Sequence, residues 1–248
     1  MKRRPRLLIA IAALVVVAGA AGLYGLATLF LHPAPAAVSL VPGSTQPAAS
    51  VGALPSGAAA TLSSGLDGTW SVDTSIGAFS DFTASWVGYR VDETLAGNRA
   101  NTAVGRTPDV TGSLVMVGTQ ITSVGVTANV QTLQSDDNRR DGQLHRQALE
   151  TDQFPEATFK LTTPIDLGST PTDGGTISVT ATGELTLHGV TRTVQVPIEA
   201  RLSGDVVTVA GSVAIQFADY GIDQPSSFIV LSVEDHGTME FQLHFRKG

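Results

Sequence analysis

Residues 207–217 read Val-Thr-Val-Ala-Gly-Ser-Val-Ala-Ile-Gln-Phe. Val207, Val209, Gly211, Val213, Ile215 and Phe217 fall on one side of an extended chain. Thr208, Ala210, Ser212, Ala214 and Gln216 fall on the other. A period of two predicts a β-strand with one apolar face. Upstream, Ile177, Val179, Ala181, Gly183, Leu185 and Leu187 alternate with polar neighbours, and so do Val194, Val196, Ile198, Ala200 and Leu202. Downstream, Met239, Phe241, Leu243 and Phe245 alternate with Glu240, Gln242, His244 and Arg246, which places those four on a wet face. Turn signals separate the runs at Asp173-Gly174-Gly175, Ser203-Gly204-Asp205 and Asp235-His236-Gly237.

Further strands are expected near 69–75, 80–94, 111–118, 121–131 and 156–165, for about eight or more in all. One short helix is expected over 138–149, where Leu144 and Ala148 are four apart, and Thr151 to Pro155 offers a second helical turn. Long strands, short turns and little helix define an all-β protein, either an antiparallel up-and-down β-barrel or a sandwich with a packed core. Strands of ten or more residues with hairpin connections suit the barrel, which leaves no exposed edge. Eight strands enclose room for one small ligand.

The rest of the chain is different in kind. Met1 to Arg6 carries four positive side chains, and Leu7 to Leu31 is uncharged and mostly apolar. As a helix, 7–31 would span roughly 37 Å, enough for a ~30 Å hydrocarbon core. The basic tail 1–6 is expected to stay cytoplasmic, which makes the chain single-pass with its C-terminal domain extracytoplasmic at the cell membrane. A cleaved signal peptide, with Ala34-Pro35-Ala36 as its cleavage site, is the competing reading and delivers the domain to the same side. Residues 32–66, rich in Pro, Ala, Ser and Gly, read as a disordered linker, and 67–248 as the folded domain. That domain holds all 22 acids against 11 of the 15 bases, a net charge of −11 with histidine neutral. Such a balance argues against nucleic acid, whose phosphates require clustered Lys and Arg. Cysteine is absent, so disulfides, thiolate metal sites and a cysteine nucleophile are excluded.

Three motifs carry a resemblance. Gly183-Glu184-Leu185-Thr186-Leu187-His188-Gly189-Val190-Thr191-Arg192 is followed by Val194, Val196 and Pro197. Arg140-Asp141 and Leu144 precede Phe154-Pro155-Glu156-Ala157-Thr158-Phe159-Lys160. Ala218-Asp219-Tyr220-Gly221-Ile222 precedes the C-terminal strands. In order and spacing they make residues 67–248 resemble the YceI-like family, a lipocalin-like group whose members bind polyisoprenoids or other long-chain lipids. The likeness departs at Asp73, which is followed by Thr74, Ser75 and Ile76 rather than an early His. It departs again at Gln143, where the family often has His, with His145 two places on. The segment 81–105 is longer and more polar than usual.

The resemblance implies a hollow interior, a long apolar guest of isoprenoid, isoprenoid-quinone or fatty-acid type, and no cofactor. In a hollow barrel Phe82, Trp86, Phe154, Phe159, Phe217 and Phe228 would line the cavity, with Leu187 at the mouth. In a filled one they are core, and the domain becomes a structural or interaction module of the cell envelope. His188 has two readings, a headgroup contact or a pin for the turn that Gly189 opens. Arg139, Arg140 and Arg192 either meet a polar head or pair with Asp136, Asp141 or Glu150. No Ser nucleophile elbow, zinc-binding His pair or phosphate loop is present, and the histidines are scattered. The expectation is a binding protein and not an enzyme, with no metal, an apolar lipid and the membrane as partners, and homodimerisation open.

Overall fold

The computed structural model describes residues 34–40, 65–225 and 230–248. The tail 1–6, the membrane-spanning helix expected over 7–31 and most of the linker lie outside these residues. Among the described residues no helix is long and apolar enough to cross a membrane. The strands are β1 (Gly68–Val72), β2 (Trp86–Leu95), β3 (Arg99–Thr107), β4 (Val110–Val117), β5 (Gln120–Asn129), β6 (Glu156–Leu161), β7 (Ile165–Asp166), β8 (Thr176–Leu187), β9 (Val190–Ser203), β10 (Val206–Gln216), β11 (Val230–Val233) and β12 (His236–Lys247). One helix, α1 (Asn138–Gln143), runs on into a π-helical turn, Leu144–Ala148, where Leu149 N–H reaches back to Leu144 O at 2.8 Å.

The order β1-β4-β5-β6-β8-β9-β10-β12 closes on itself because β12 also pairs with β1. This is an eight-stranded antiparallel barrel, a meander interrupted once. The β2–β3 hairpin is inserted between β1 and β4 and pairs with the strand that β1 also uses. Thr238–Gln242 of β12 lies against Trp86–Arg90, whereas Phe245, Arg246 and Lys247 lie against Val72, Ser71 and Trp70. β12 is therefore forked.

The fork explains three differences from the sequence pattern. First, 80–94 is not one strand. Phe79–Asp81 is a short 3-10 turn ended by Phe82 at φ 60°, and Asp81 caps Thr83 N–H at 3.1 Å. Second, segment 73–85 has to cross the outside of β12 to join its two partners, so the wet face expected there is covered. Glu240 is 1% and His244 7% exposed. His244 Nε2 meets Thr83 O at 2.8 Å, and Gln242 Nε2 donates to Ala84 O at 3.1 Å. Third, β3 has no apolar alternation to announce it. Its polar residues bond across to β2 instead, Thr102 Oγ1 to Asp92 at 2.7 Å and Asn101 Nδ2 to Glu93 at 2.7 Å.

Part of the expected linker also lies on the barrel. Leu40 N–H and Ser39 Oγ donate to Glu199 Oε2 at 2.7 and 3.1 Å, and Arg201 donates to Leu40 O at 3.1 Å. Backbone groups that a low-hydrophobicity segment leaves exposed are satisfied here by two outward side chains of β9. Leu66 packs into the core beside Trp70, whose Nε1 donates to Leu66 O at 3.0 Å.

A candidate binding site in the barrel interior

The inner faces of the ring strands surround an apolar cavity of about 150 Å³. Trp70, Leu114, Val124, Phe159, Val196 and Phe241 are among its walls, and Thr158 is the one hydroxyl-bearing residue in the lining. A second cavity of about 130 Å³ lies between the β2–β3 hairpin, α1 with its π-helical turn, and the end of the barrel. Val87, Ala157 and Met239 line both, so the two cavities lie side by side and share these walls.

Large aromatic rings stand along this tract without filling it, and glycine is the reason. A Cβ on Gly183 would lie 2.5 Å from Phe159 Cζ, and one on Gly211 would lie 2.8 Å from Phe241 Cζ. Each ring tip occupies space that a side chain on the neighbouring strand would need. The rings thus lean along the wall and leave the axis open.

The second cavity has a polar end. Arg140 reaches Glu93 Oε1 at 3.0 Å and also pairs with Asp136. Asp141, 9% exposed, accepts from Ser135 N–H and from Ser135 Oγ at 2.6 Å. Tyr89 stands beside them over Gly105, and burial pushes its hydroxyl well above the usual tyrosine range, with Asp141 adding to the shift. Asp137 caps α1 through Arg139 N–H at 2.8 Å. Arg140 therefore ties the helix to β2 through Glu93, while Asp141 ties it to the preceding turn through Ser135.

The structure brings three of the expected lining residues into the tract: Phe159 in the first cavity, Leu187 and Phe217 in the second. Phe82 and Trp86 were expected there and are elsewhere. Both rings clamp the guanidinium of Arg106, at 4.2 and 4.0 Å, on the outer side of the sheet. In β2 it is Val87 and Tyr89 that face inward, so the register puts Trp86 on the opposite face. His188 and Phe154 do not line either cavity. His188 Nδ1 meets Tyr220 O and Nε2 meets Glu150 Oε2, both at 3.0 Å, while Phe154 stands edge-on to the imidazole at 4.5 Å. His188 is itself at φ 51° and holds the β8–β9 turn, which is the pin reading. Arg192 is exposed and donates through Nε to Asp219 O at 2.9 Å, outside the tract. Phe228 lies outside the described residues.

Sequence reasoning missed Trp70, Tyr89 and Glu93. For Trp70 the signal was present, because β1 was expected over its position. For Tyr89 and Glu93 a strand was expected too, over 80–94, but which of its faces points inward depends on the fork.

A family model for the YceI-like domain matches residues 70–245. No curated protein matches the chain. Among solved structures, the chain is similar to a polyisoprenoid-binding domain from Saccharophagus degradans implicated in plant cell wall breakdown, with 18% identity and a TM-score of 0.55, covering 72% of this chain and 98% of that one. BcnA of Burkholderia cenocepacia follows at 20% identity and TM-score 0.49, covering 64% and 95%. A YCEI protein of Campylobacter jejuni stands at 15% and 0.48, covering 58% and 84%. At such identities the likeness concerns the fold.

Proposed function

This chain belongs to the YceI-like family, and from that premise we propose that it holds a long apolar lipid, of isoprenoid type, inside its barrel. The observation that carries the reading is the vacant tract, apolar through its first cavity and adjoined by the second. Inward side chains such as Val194, Ile198, Val209 and Phe241 are only half-buried because they face empty space. A flexible hydrocarbon that covers them gains about 0.8 kcal/mol for each CH₂ it removes from water, less the cost of ordering its chain. Chain burial thus supplies most of the affinity, and the protein acts as a carrier or reservoir without a chemical step. The filled-core alternative is disfavoured by the same vacancy.

The proposal includes a place. Residues 7–31 anchor the chain in the cell membrane with the tail 1–6 in the cytoplasm, and the barrel works on the outer side. The reading rests on the uncharged run and the basic cluster that precedes it.

The test is to purify the full chain from cells that make isoprenoids, record native mass spectra, and extract with organic solvent. The expected result is a co-purifying apolar molecule released by the solvent. An empty barrel that also takes up no added fluorescent isoprenoid would overturn the reading.

A further inference from the structure

We infer that the loop between β7 and β8, residues 167–175, is the gate of the barrel, and that the guest enters and leaves past it rather than past α1. The inference rests on the lipid-binding reading above and adds to it a route.

The two ends of the barrel are closed in different ways. At one end the chain from Val130 to Phe154 packs as a plug. Leu133, Ala148 and Leu149 are buried there in one cluster with Tyr220 and Ile222. Gln131 Nε2 donates to Thr151 O at 3.1 Å, Arg140 reaches Glu93, and Asp141 holds Ser135. Opening that end would bring buried apolar side chains into water and part a half-buried ion pair, so it is a costly local event.

At the other end, where the β4–β5 and β9–β10 turns lie, Leu66, Leu167, Pro171, Gly175 and Ile177 border the first cavity, and none of the five is fully buried. Three of them belong to the loop, which is tied down only near its two ends. Leu167 N–H donates to Thr119 O and Gly168 N–H to Asp166 Oδ1, both at 2.9 Å. At the far end Gly174 N–H donates to Leu202 O, and Asp173 Oδ1 accepts from Gly204 N–H, both at 2.8 Å. Between these ties Ser169, Thr170 and Pro171 make no hydrogen bond among the described residues. Gly168 and Gly174 flank that stretch at φ 68° and 73°, where glycine sits without strain. Solvent-exposed backbone and few buried contacts mark a segment of low local stability. The loop opens by parting Asp173 from Gly204 and withdrawing Pro171 from the mouth, with no buried charge to strand.

The experiment uses the full chain and retinol, an isoprenoid alcohol that fluoresces in an apolar site, and reads how fast an excess of farnesol displaces it. Asp173→Ala removes the latch. Release should quicken about three- to tenfold, the worth of one hydrogen bond. Equilibrium affinity should stay within about twofold, because an easier gate speeds entry and exit alike. Asp173→Asn keeps an oxygen for Gly204 N–H and should release at the original rate. Gln131→Ala loosens the plug instead and should leave the rate unchanged. Asp173 and Gln131 are both exposed, so all three variants should melt with the parent. A rate that Asp173→Ala does not raise, or that Gln131→Ala raises as much, overturns the inference and leaves lipid carriage standing. If the parent chain binds neither retinol nor farnesol, both fall.

Discussion

The two faces of β12 obey one alternation and serve opposite ends. On the inner face Met239, Phe241, Leu243 and Phe245 look into the vacant tract. On the outer face Glu240 and His244 are as dry as any core residue and Gln242 is half-buried, and Gln242 and His244 bond to the backbone of segment 73–85. Glu240 receives Arg106 at 2.9 Å and Arg90 at 3.5 Å, and the rings of Phe82 and Trp86 sandwich Arg106 from either side. The lesson is that burial and occupancy are separate. Apolar surface can be left facing a void at modest cost, because nothing there demands a partner. Buried charge cannot be left so, because an uncompensated ion in a low dielectric costs several kcal/mol. The barrel accordingly keeps its emptiness inside, where a guest can use it, and its satisfied polar packing outside, where it holds the fork together.

The sharpest break to attempt is Glu240→Ala, which strands Arg106 between two rings without its carboxylate. Unfolding by denaturant should show a loss of about 3–5 kcal/mol, whereas isoprenoid uptake per folded molecule should not change. A loss of uptake at full stability would merge the two faces into one site. Ala200→Phe tests the inner face, since Ala200 lines the first cavity. In a filled core such an insertion costs about 1–3 kcal/mol. Here stability should stay within about 1 kcal/mol, and isoprenoid affinity should drop about tenfold, or about 1.4 kcal/mol. A smaller effect is expected from His188→Ala. Losing the bonds to Tyr220 O and Glu150 should cost about 1 kcal/mol of stability with affinity within about twofold, and a larger binding loss would return His188 to the guest.

The smallest effect lies in acid, at the start of the crossing segment. Hydrogen bonds from Ser75, then Arg246, hold Asp73 at about 2, below its ordinary 3.8. A depressed folded value means that Asp73 contributes stability above about pH 4 and loses it as pH falls toward 2. Asp73→Asn should flatten the pH dependence of unfolding in that window. Because the pair lies at the surface, with Asp73 half-buried and Arg246 exposed, solvent screens it and the change in slope should be slight.

Much of the fold was legible. The alternating runs at 177–187, 194–202, 207–217 and 239–246 became β8, β9, β10 and β12, since a period of two with one apolar face admits few alternatives. The helix at 138–149 appeared with Leu144 and Ala148 turned to the core as the four-residue spacing required. The candidate site was legible only in part. Phe159 entered the tract because its strand was read in register, and Phe217 because it follows directly on β10, at the start of a 3-10 turn. Trp86 did not, because a strand expected to begin at 80 begins at Trp86, and a strand's register sets which face each residue takes.

By itself, then, the amino-acid sequence determined the class of structure, the order of most strands, the composition of the inner wall and the split between an uncharged N-terminal run and an acidic domain. Those are consequences of local spacing and composition, which need no partner to be expressed. Tertiary structure alone decided that β12 would be shared by β1 and β2, that Glu240 and His244 would be roofed over, and that rings seated above Gly183 and Gly211 would leave a passage. Each of these depends on which residues meet across a sheet. That is settled only when the barrel closes and every side chain has to find its volume and its hydrogen bonds at once.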